Sequence, residues 1–414
     1  MVNYFYDCYC ILNKVYSEKK FIKQAINDTF IEEAHRALTV KVCYGVLDRD
    51  IELSYYIKNF TEKTPKLAVR TILKISMYMI KYLGKKEYFV ADNAVELTKK
   101  LGKGGASGFV NAFLRNFSNR RILLPEEKAG FLSVKYSYPE FAIKMLAEDY
   151  GWERTEKIIS AVYPDNTLCF YGTDGKKYLT EKGVVFSETP FKNVFIVKNF
   201  NRNADYDDGV YTYQSLGSVA ICDTVDKCKN LLDCCAAPGG KSVRLSYKAD
   251  KVFAWDIHPH RVTLIEEYAA RMRRSNIKAE VRDAKIFDKT LEKFFDAVLC
   301  DAPCSGFGVV GDNPDIKLNR TEEGVSELVK EQKAIINTVC DYVKVGGYLY
   351  YSTCSVFLKE NIGIIRDFIS RRTDFAIEKT DSPLMHMDID GTNAFLPDIS
   401  AGNGYYIAKL KRLR

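Results

Sequence analysis

The stretch Leu231-Leu232-Asp233-Cys234-Cys235-Ala236-Ala237-Pro238-Gly239-Gly240-Lys241-Ser242 decides the fold. Two apolar residues end in an aspartate, small residues follow, and paired glycines precede a lysine. This is the pattern of a strand that passes through a tight turn into a helix. Glycines there let the backbone approach a ligand, and the helix start offers unpaired amides. The spacing is not that of a dinucleotide fingerprint. Nor is it a phosphate loop, because the variable residues before Gly-Lys-Ser are misplaced.

Around that turn, short buried strands are expected over 229–235, 251–256, 278–281, 297–301 and 347–353, separated by amphipathic stretches over 259–274, 322–343 and 360–372. The alternation predicts a doubly wound sheet with helices on both faces. Asp256 and Asp301 close two of these strands, and Asp283 follows a third. One such aspartate alone could equally be a helix cap. Three of them beside a glycine turn indicate an adenosine-bearing cofactor at the point where the strand order reverses.

Upstream the pattern differs. Leu67, Val69, Ile72, Leu73, Ser76, Met77, Ile80 and Leu83 recur at three- and four-residue spacing, one apolar stripe of a helix that Gly84 ends. Similar runs over 21–30, 37–47 and 90–101 predict a helical bundle for residues 1–124. Residues 125–213 read as a small α/β linker domain: helices over 139–150 and 153–162, strands over 167–171, 183–186 and 194–197, and a polar, turn-rich stretch over 199–208. Residues 214–414 then form the sheet domain.

Composition bounds the function. The chain has 414 residues, 47% hydrophobic and 28% charged, ordinary values for a globular protein. No run is long and apolar enough for a membrane span. The opening Met1-Val2-Asn3-Tyr4 lacks a basic segment followed by an apolar one, so no signal peptide and a cytoplasmic location are expected. Twelve scattered cysteines suit a reducing compartment. Cys8/Cys10, Cys234/Cys235 and Cys300/Cys304 lack Cys-x-x-Cys spacing and no histidines cluster with them, so no metal is expected. Residues 1–124 hold 21 basic and 12 acidic residues, the remainder 40 and 42. The excess positive charge therefore sits in the helical part alone. It suits a module gripping nucleic-acid phosphates, although a merely solvated basic surface would look the same.

Two further motifs carry chemistry: Asp301-Ala302-Pro303-Cys304-Ser305-Gly306 and Ser352-Thr353-Cys354-Ser355. With Ala236-Ala237-Pro238-Gly239-Gly240-Lys241, they make residues 214–412 resemble the RNA (cytosine-5)-methyltransferases. The resemblance implies a class I, Rossmann-like methyltransferase fold with S-adenosylmethionine as methyl donor. It places Cys235, Ala236, Ala237, Pro238, Gly239, Gly240, Lys241, Asp256, Asp283 and Asp301 around that cofactor. It also makes Cys354 the nucleophile and gives Cys304 a part in product release.

The chemistry explains two thiols. Carbon 5 of cytosine is a poor nucleophile, but a thiolate adding at carbon 6 makes the ring an enamine whose carbon 5 attacks a methyl group. A base must then remove the carbon-5 proton so that the thiolate departs. Asp301 could bond the ring edge, with Lys241 assisting. Which cysteine attacks stays open on this reasoning, since DNA cytosine methyltransferases use the Pro-Cys thiol, here Cys304.

Gly108-Phe109-Val110-Asn111-Ala112-Phe113-Leu114-Arg115, with Leu73-Lys74-Ile75-Ser76-Met77-Tyr78 before it, resembles the RNA-binding fold of the antitermination factor NusB. Joined to this catalytic half, it is the arrangement of bacterial small-subunit ribosomal RNA methyltransferases acting on cytosine 967. The resemblance implies RNA as partner; no membrane partner and a monomeric state are expected as well. Action on transfer RNA, and a non-enzymatic assembly factor with a vestigial cofactor fold, are the rival readings. The chain departs from the family pattern twice: Gln214-Ser215 stands where the family has Gln-Asp, and Gly311-Asp312 replaces two arginines ahead of Pro314-Asp315-Ile316-Lys317, the change that bears on the RNA target.

Overall fold

The apolar spacing over 67–83 produces helix Leu67–Lys81, but it is buried on more than the one face expected. Ile72, Leu73, Ile75, Met77 and Met79 are all fully buried. Such a helix runs through the middle of a bundle. Lys74 is buried with it, its ammonium 2.6 Å from Asp50 Oδ1, and the Tyr16 hydroxyl donates to the same oxygen. The helix stops where Gly84 takes a left-handed φ of 60°, and the Lys85 N–H turns back to the Met79 carbonyl at 3.0 Å.

This computed structural model describes every residue except 1, 2, 118, 120, 121, 164, 165 and 401, so Met1 and Val2 of the opening stretch lie outside the described residues. The chain divides into two compact units: Met1–Ile159 with Val310–Thr321, and Ser160–Val309 with Glu322–Arg414. In the first, helices Asn3–Glu18, Glu33–Asp48, Asp50–Phe60, Glu87–Lys100 and Ser107–Phe117 surround Leu67–Lys81. Phe5, Leu12, Val42, Leu53, Val90 and Leu114 close the core. Helices Lys128–Tyr136, Glu140–Tyr150 and Trp152–Ile159 belong to this unit. So does the segment holding Gly311 to Lys317. Lys317, its side chain 4% exposed, donates to both the carbonyl and Oδ1 of Asp48 at 2.7 Å. Asp315 Oδ2 accepts the Ile22 N–H at 3.2 Å.

The second unit begins with a small antiparallel sheet of β1 (Thr167–Phe170), β2 (Phe186–Glu188), β3 (Val194–Val197) and β4 (Tyr211–Tyr213), ordered β2-β3-β1-β4. The strand expected over 183–186 is displaced. Gly183 takes φ 65° and its N–H bonds the Thr180 carbonyl, closing helix Gly175–Glu181, so pairing starts only at Phe186. The polar stretch over 199–208 includes a short helix, Ala204–Asp207.

The large sheet follows: β5 (Cys228–Asp233), β6 (Ala249–Asp256), β7 (Ile277–Val281), β8 (Phe295–Asp301), β9 (Val343–Thr353), β10 (Phe375–Ile377), β11 (Met387–Ile389), β12 (Thr392–Phe395) and β13 (Tyr405–Arg412). Its order is β11-β12-β13-β9-β8-β5-β6-β7, with β10 pairing β13. Strands β7, β6, β5, β8 and β9 run parallel, and β13 is antiparallel to β9. Leu231, Leu232, Val298 and Leu349 are fully buried, as strands covered on both faces require. Chain order reverses at β5, between β6 and β8, which makes its carboxyl end the switch point. The carboxyl-terminal hairpin β11–β12, which the sequence reading passed over, turns on Asp390-Gly391, both left-handed at φ 54° and 82°. Among the described residues no helix is long and apolar enough to cross a membrane.

Breaking the buried pair in the bundle has a defined cost. Lys74→Ala leaves Asp50 buried without its cation and is expected to lower unfolding free energy by about 3 kcal/mol or more. Lys157→Ala, which breaks an exposed pair with Glu153, should leave it essentially unchanged. Urea denaturation of both variants measures the difference, and equal effects would contradict this account of the bundle.

Candidate active site

Strands β5, β6 and β8 end in aspartates because the buried run stops where the chain meets the open edge of the sheet. Asp233, 1% exposed, accepts the Ser242 hydroxyl on Oδ2 at 2.6 Å, and its Oδ1 is buried with no hydrogen-bond partner. Burial pushes this carboxyl up to about 7. The turn after it is anchored by the Ala236 N–H on the Trp255 carbonyl at 2.8 Å. Gly239 takes φ 104°, and a Cβ there would lie 3.2 Å from Ile265 Cα, so this position requires glycine. Ala236, Ala237, Pro238 and Gly240 keep the turn free of long side chains, and Cys235 is half-buried beside them.

Asp256, 4% exposed at the end of β6, accepts the His258 N–H on Oδ1 at 3.1 Å. Arg261 lies 3.4 Å from its Oδ2 and also donates to the Ala237 carbonyl at 3.4 Å. That arginine joins the second strand end to the glycine turn. Asp283 sits two residues past β7, where its Oδ1 accepts the Lys285 N–H at 2.9 Å. The donor set fits an adenosine-bearing group: a buried carboxylate for ribose hydroxyls, an exposed apolar side chain (Ile257) beside it, and a turn with no bulky residue.

Asp301 closes β8 in register with Ser352 on β9. Lys241 donates to its Oδ2 at 2.6 Å and the Ser352 hydroxyl to its Oδ1 at 2.7 Å. Burial works against the charge on Lys241, but the Asp301 carboxylate and Tyr405 outweigh it, and the ammonium is held above its ordinary range. Lys241 lies 5.9 Å from the centre of the Tyr405 ring, whose hydroxyl is 2.6 Å from Ser215 Oγ. Ser215, one of the two departures noted above, is thus tied into the site through Tyr405.

The loops after β8 and β9 bring Cys304 and Cys354 together, sulfur to sulfur at 3.3 Å and both half-buried. The Cys304 thiol is held well above its ordinary range by its hydrogen bond to Cys354, by burial, and by the charges of Cys354 and Glu360. The carboxylate of Glu360, fully buried, lies under both loops.

Every sequence-predicted residue lies on the carboxyl edge of one sheet, and Lys241 with Asp301, like Cys304 with Cys354, is in direct contact. Sequence reasoning missed Arg261, Ser352, Glu360 and Tyr405. Ser352 was within a quoted motif. Glu360 was taken as the start of a helix that in fact begins at Ile362, and the clue was an acid between apolar Phe357 and Ile362. No group of three or more His, Cys, Asp or Glu placed to hold a metal ion occurs among the described residues.

Residues 222–411 match the family model described as 16S rRNA methyltransferase RsmB/F, and residues 5–119 match the NusB family. The chain is 31% identical over 432 residues to a probable ribosomal RNA small subunit methyltransferase B of Bacillus subtilis, covering 97% of this chain and 95% of that one. A protein of Pectobacterium carotovorum named ribosomal RNA small subunit methyltransferase B is 28% identical, covering 92% and 91%. The crystal structure of PH0851 superposes with a TM-score of 0.83 at 20% identity, over 98% of this chain and 97% of that one, a likeness of fold.

The raised Asp233 carboxyl sets a pH dependence. Ionising it costs the folded state, so stability falls as pH rises from its ordinary 3.8 to about 7. Asp233→Asn escapes that loss. Its Tm relative to the parent should climb between about pH 4 and pH 7 and level off above. A difference independent of pH, measured by scanning calorimetry, would contradict the assignment.

Proposed function

From a chain that belongs to the 16S rRNA methyltransferase RsmB/F family and is an RNA methyltransferase, we propose a specific reaction: methylation of carbon 5 of a cytidine in 16S ribosomal RNA, at cytosine 967, through a covalent cysteine–carbon 6 adduct. The observation that carries this reading is the contact between Cys304 and Cys354, beside the Lys241–Asp301 pair.

S-adenosylmethionine supplies an electrophilic methyl group on a sulfonium. Residues 235–241, Asp256, Asp283 and Asp301 are its proposed pocket, with Asp256 on the ribose hydroxyls and Ile257 against the adenine face. The target cytidine leaves its stack so that a ring face meets the thiols, at a cost of a few kcal/mol. Cys354, accepting the hydrogen bond of Cys304, attacks carbon 6 as the thiolate. Negative charge then collects on the ring, where the Lys241 ammonium neutralises it and Asp301 bonds the ring edge.

Proton removal follows from the same contact. Once Cys354 is a thioether it carries no charge and no longer accepts from Cys304. That removes the first of the causes that hold the Cys304 thiol up, leaving burial and Glu360, and in this proposal Cys304 then gives its proton to solvent. The resulting thiolate takes the carbon-5 proton, the double bond re-forms, and Cys354 departs as thiolate.

We assign RNA binding to residues 1–124, a connecting role to 125–213 and catalysis to 214–414, in a cytoplasmic monomer. The net basic charge of the first segment supports that division.

Bisulfite sequencing of ribosomal and transfer RNA from a strain lacking this gene, beside its parent, tests the substrate. Loss of one small-subunit 5-methylcytidine signal, restored by the gene but not by its Lys241→Met variant, is expected. Loss at a transfer RNA position would overturn the substrate. No loss anywhere would favour an RNA-binding assembly factor.

A further inference from the structure

Beneath the two thiols lies an acid that the reaction as written does not use. Glu360 is fully buried, in the turn Leu358–Glu360 ahead of helix Ile362–Arg371. Its Oε1 accepts the Ser305 N–H at 2.8 Å and the Gln332 amide at 3.0 Å. Its Oε2 accepts the hydroxyls of both Ser305 and Ser355. Those serines directly follow Cys304 and Cys354, and their oxygens lie 3.2 Å apart. Gln332, also fully buried, reaches the Pro303 carbonyl at 2.9 Å, so the Cys304 loop is held on both sides of its thiol. The Phe357 N–H bonds Ser355 Oγ at 3.1 Å, and the Tyr351 hydroxyl bonds the Glu360 carbonyl at 2.7 Å, which fixes the turn itself.

A buried carboxylate is costly unless its oxygens are bonded, and apolar residues of similar volume hold a core at least as well. Here three of the four donors come from the residues next to the thiols. We propose that Glu360 is a positioning residue that yokes the Cys304 loop to the Cys354 loop and so sets the distance between the two thiols. The role rests on the two-thiol reading above, and reaction between the thiols themselves can be measured without RNA.

The test uses the full chain treated with diamide, which takes two electrons and two protons from a thiol pair and leaves a disulfide. Peptide mass mapping follows the Cys304–Cys354 bond. Glu360→Ala is expected to form it about tenfold more slowly and to lose about tenfold in kcat, with KM for S-adenosylmethionine within about twofold. Glu360→Gln, which keeps the length and can bond the same serines, should recover both. Wild-type rates in Glu360→Ala, or no recovery in Glu360→Gln, would overturn the proposal. Should Glu360→Ala not fold, Ser355→Ala removes one arm of the yoke and decides the matter: slower disulfide formation supports it, an unchanged rate overturns it. Methylation surviving Cys354→Ala would refute the adduct chemistry while leaving the disulfide rates to judge Glu360.

Discussion

A carboxylate at the rim of a buried sheet cannot hold its charge alone, and Asp301 meets that constraint with two donors from two different elements. Lys241 comes from the helix after the glycine turn, and Ser352 from the neighbouring strand. The pair of bonds fixes the end of β5, the end of β8 and the end of β9 in one arrangement. Everything chemical hangs from those three ends. Cys304 follows Asp301 by three residues and Cys354 follows Ser352 by two, so a shift in the Asp301 contacts would move both thiols. The carboxylate also keeps Lys241 a cation, which suits it to meet negative charge and unsuits it as a base.

The second constraint is the repulsion between two ionisable sulfurs in contact. Two thiolates at that separation are disfavoured, so the two sulfurs do not ionise together. The contact with Cys354, burial and then the charges of Cys354 and Glu360 all raise the Cys304 thiol. The proposed reaction gives the two sulfurs different roles, which the motifs left open. In that proposal Cys354 acts first as nucleophile, and Cys304 acts as base only after Cys354 has been consumed.

Most of the catalytic unit was legible because its signals are local. Buried parallel strands read as short apolar runs, their ends as aspartates, and the turn as glycines, so β5, β6, β7, β8 and β9 lie within a few residues of expectation. What failed was non-local or short. The displaced β2 depends on a glycine closing the preceding helix, and β11–β12 on a two-residue turn whose Asp-Gly signal was present but unread. The burial of helix Leu67–Lys81 on several faces was hidden, because its lysine is neutralised by an aspartate twenty-four residues earlier. Arg261 and Glu360 were invisible for the same reason: each matters through partners that only the folded chain brings near. The segment Val310–Thr321 is a further case. It lies within the catalytic sequence, yet Lys317 and Asp315 are bonded to Asp48 and Ile22 of the helical unit.

The central claim is the division of labour between two touching thiols, and the position of the covalent bond tests it most directly. Full-length Cys304→Ala and Cys354→Ala proteins would be incubated with S-adenosylmethionine and unmodified 16S ribosomal RNA, denatured, digested with nuclease and protease, and mapped by mass spectrometry. The account predicts a methylated cytidine attached to Cys354 in Cys304→Ala, because attack proceeds and proton removal does not, and no adduct in Cys354→Ala. A nucleotide attached to Cys304 in the Cys354→Ala protein would contradict it.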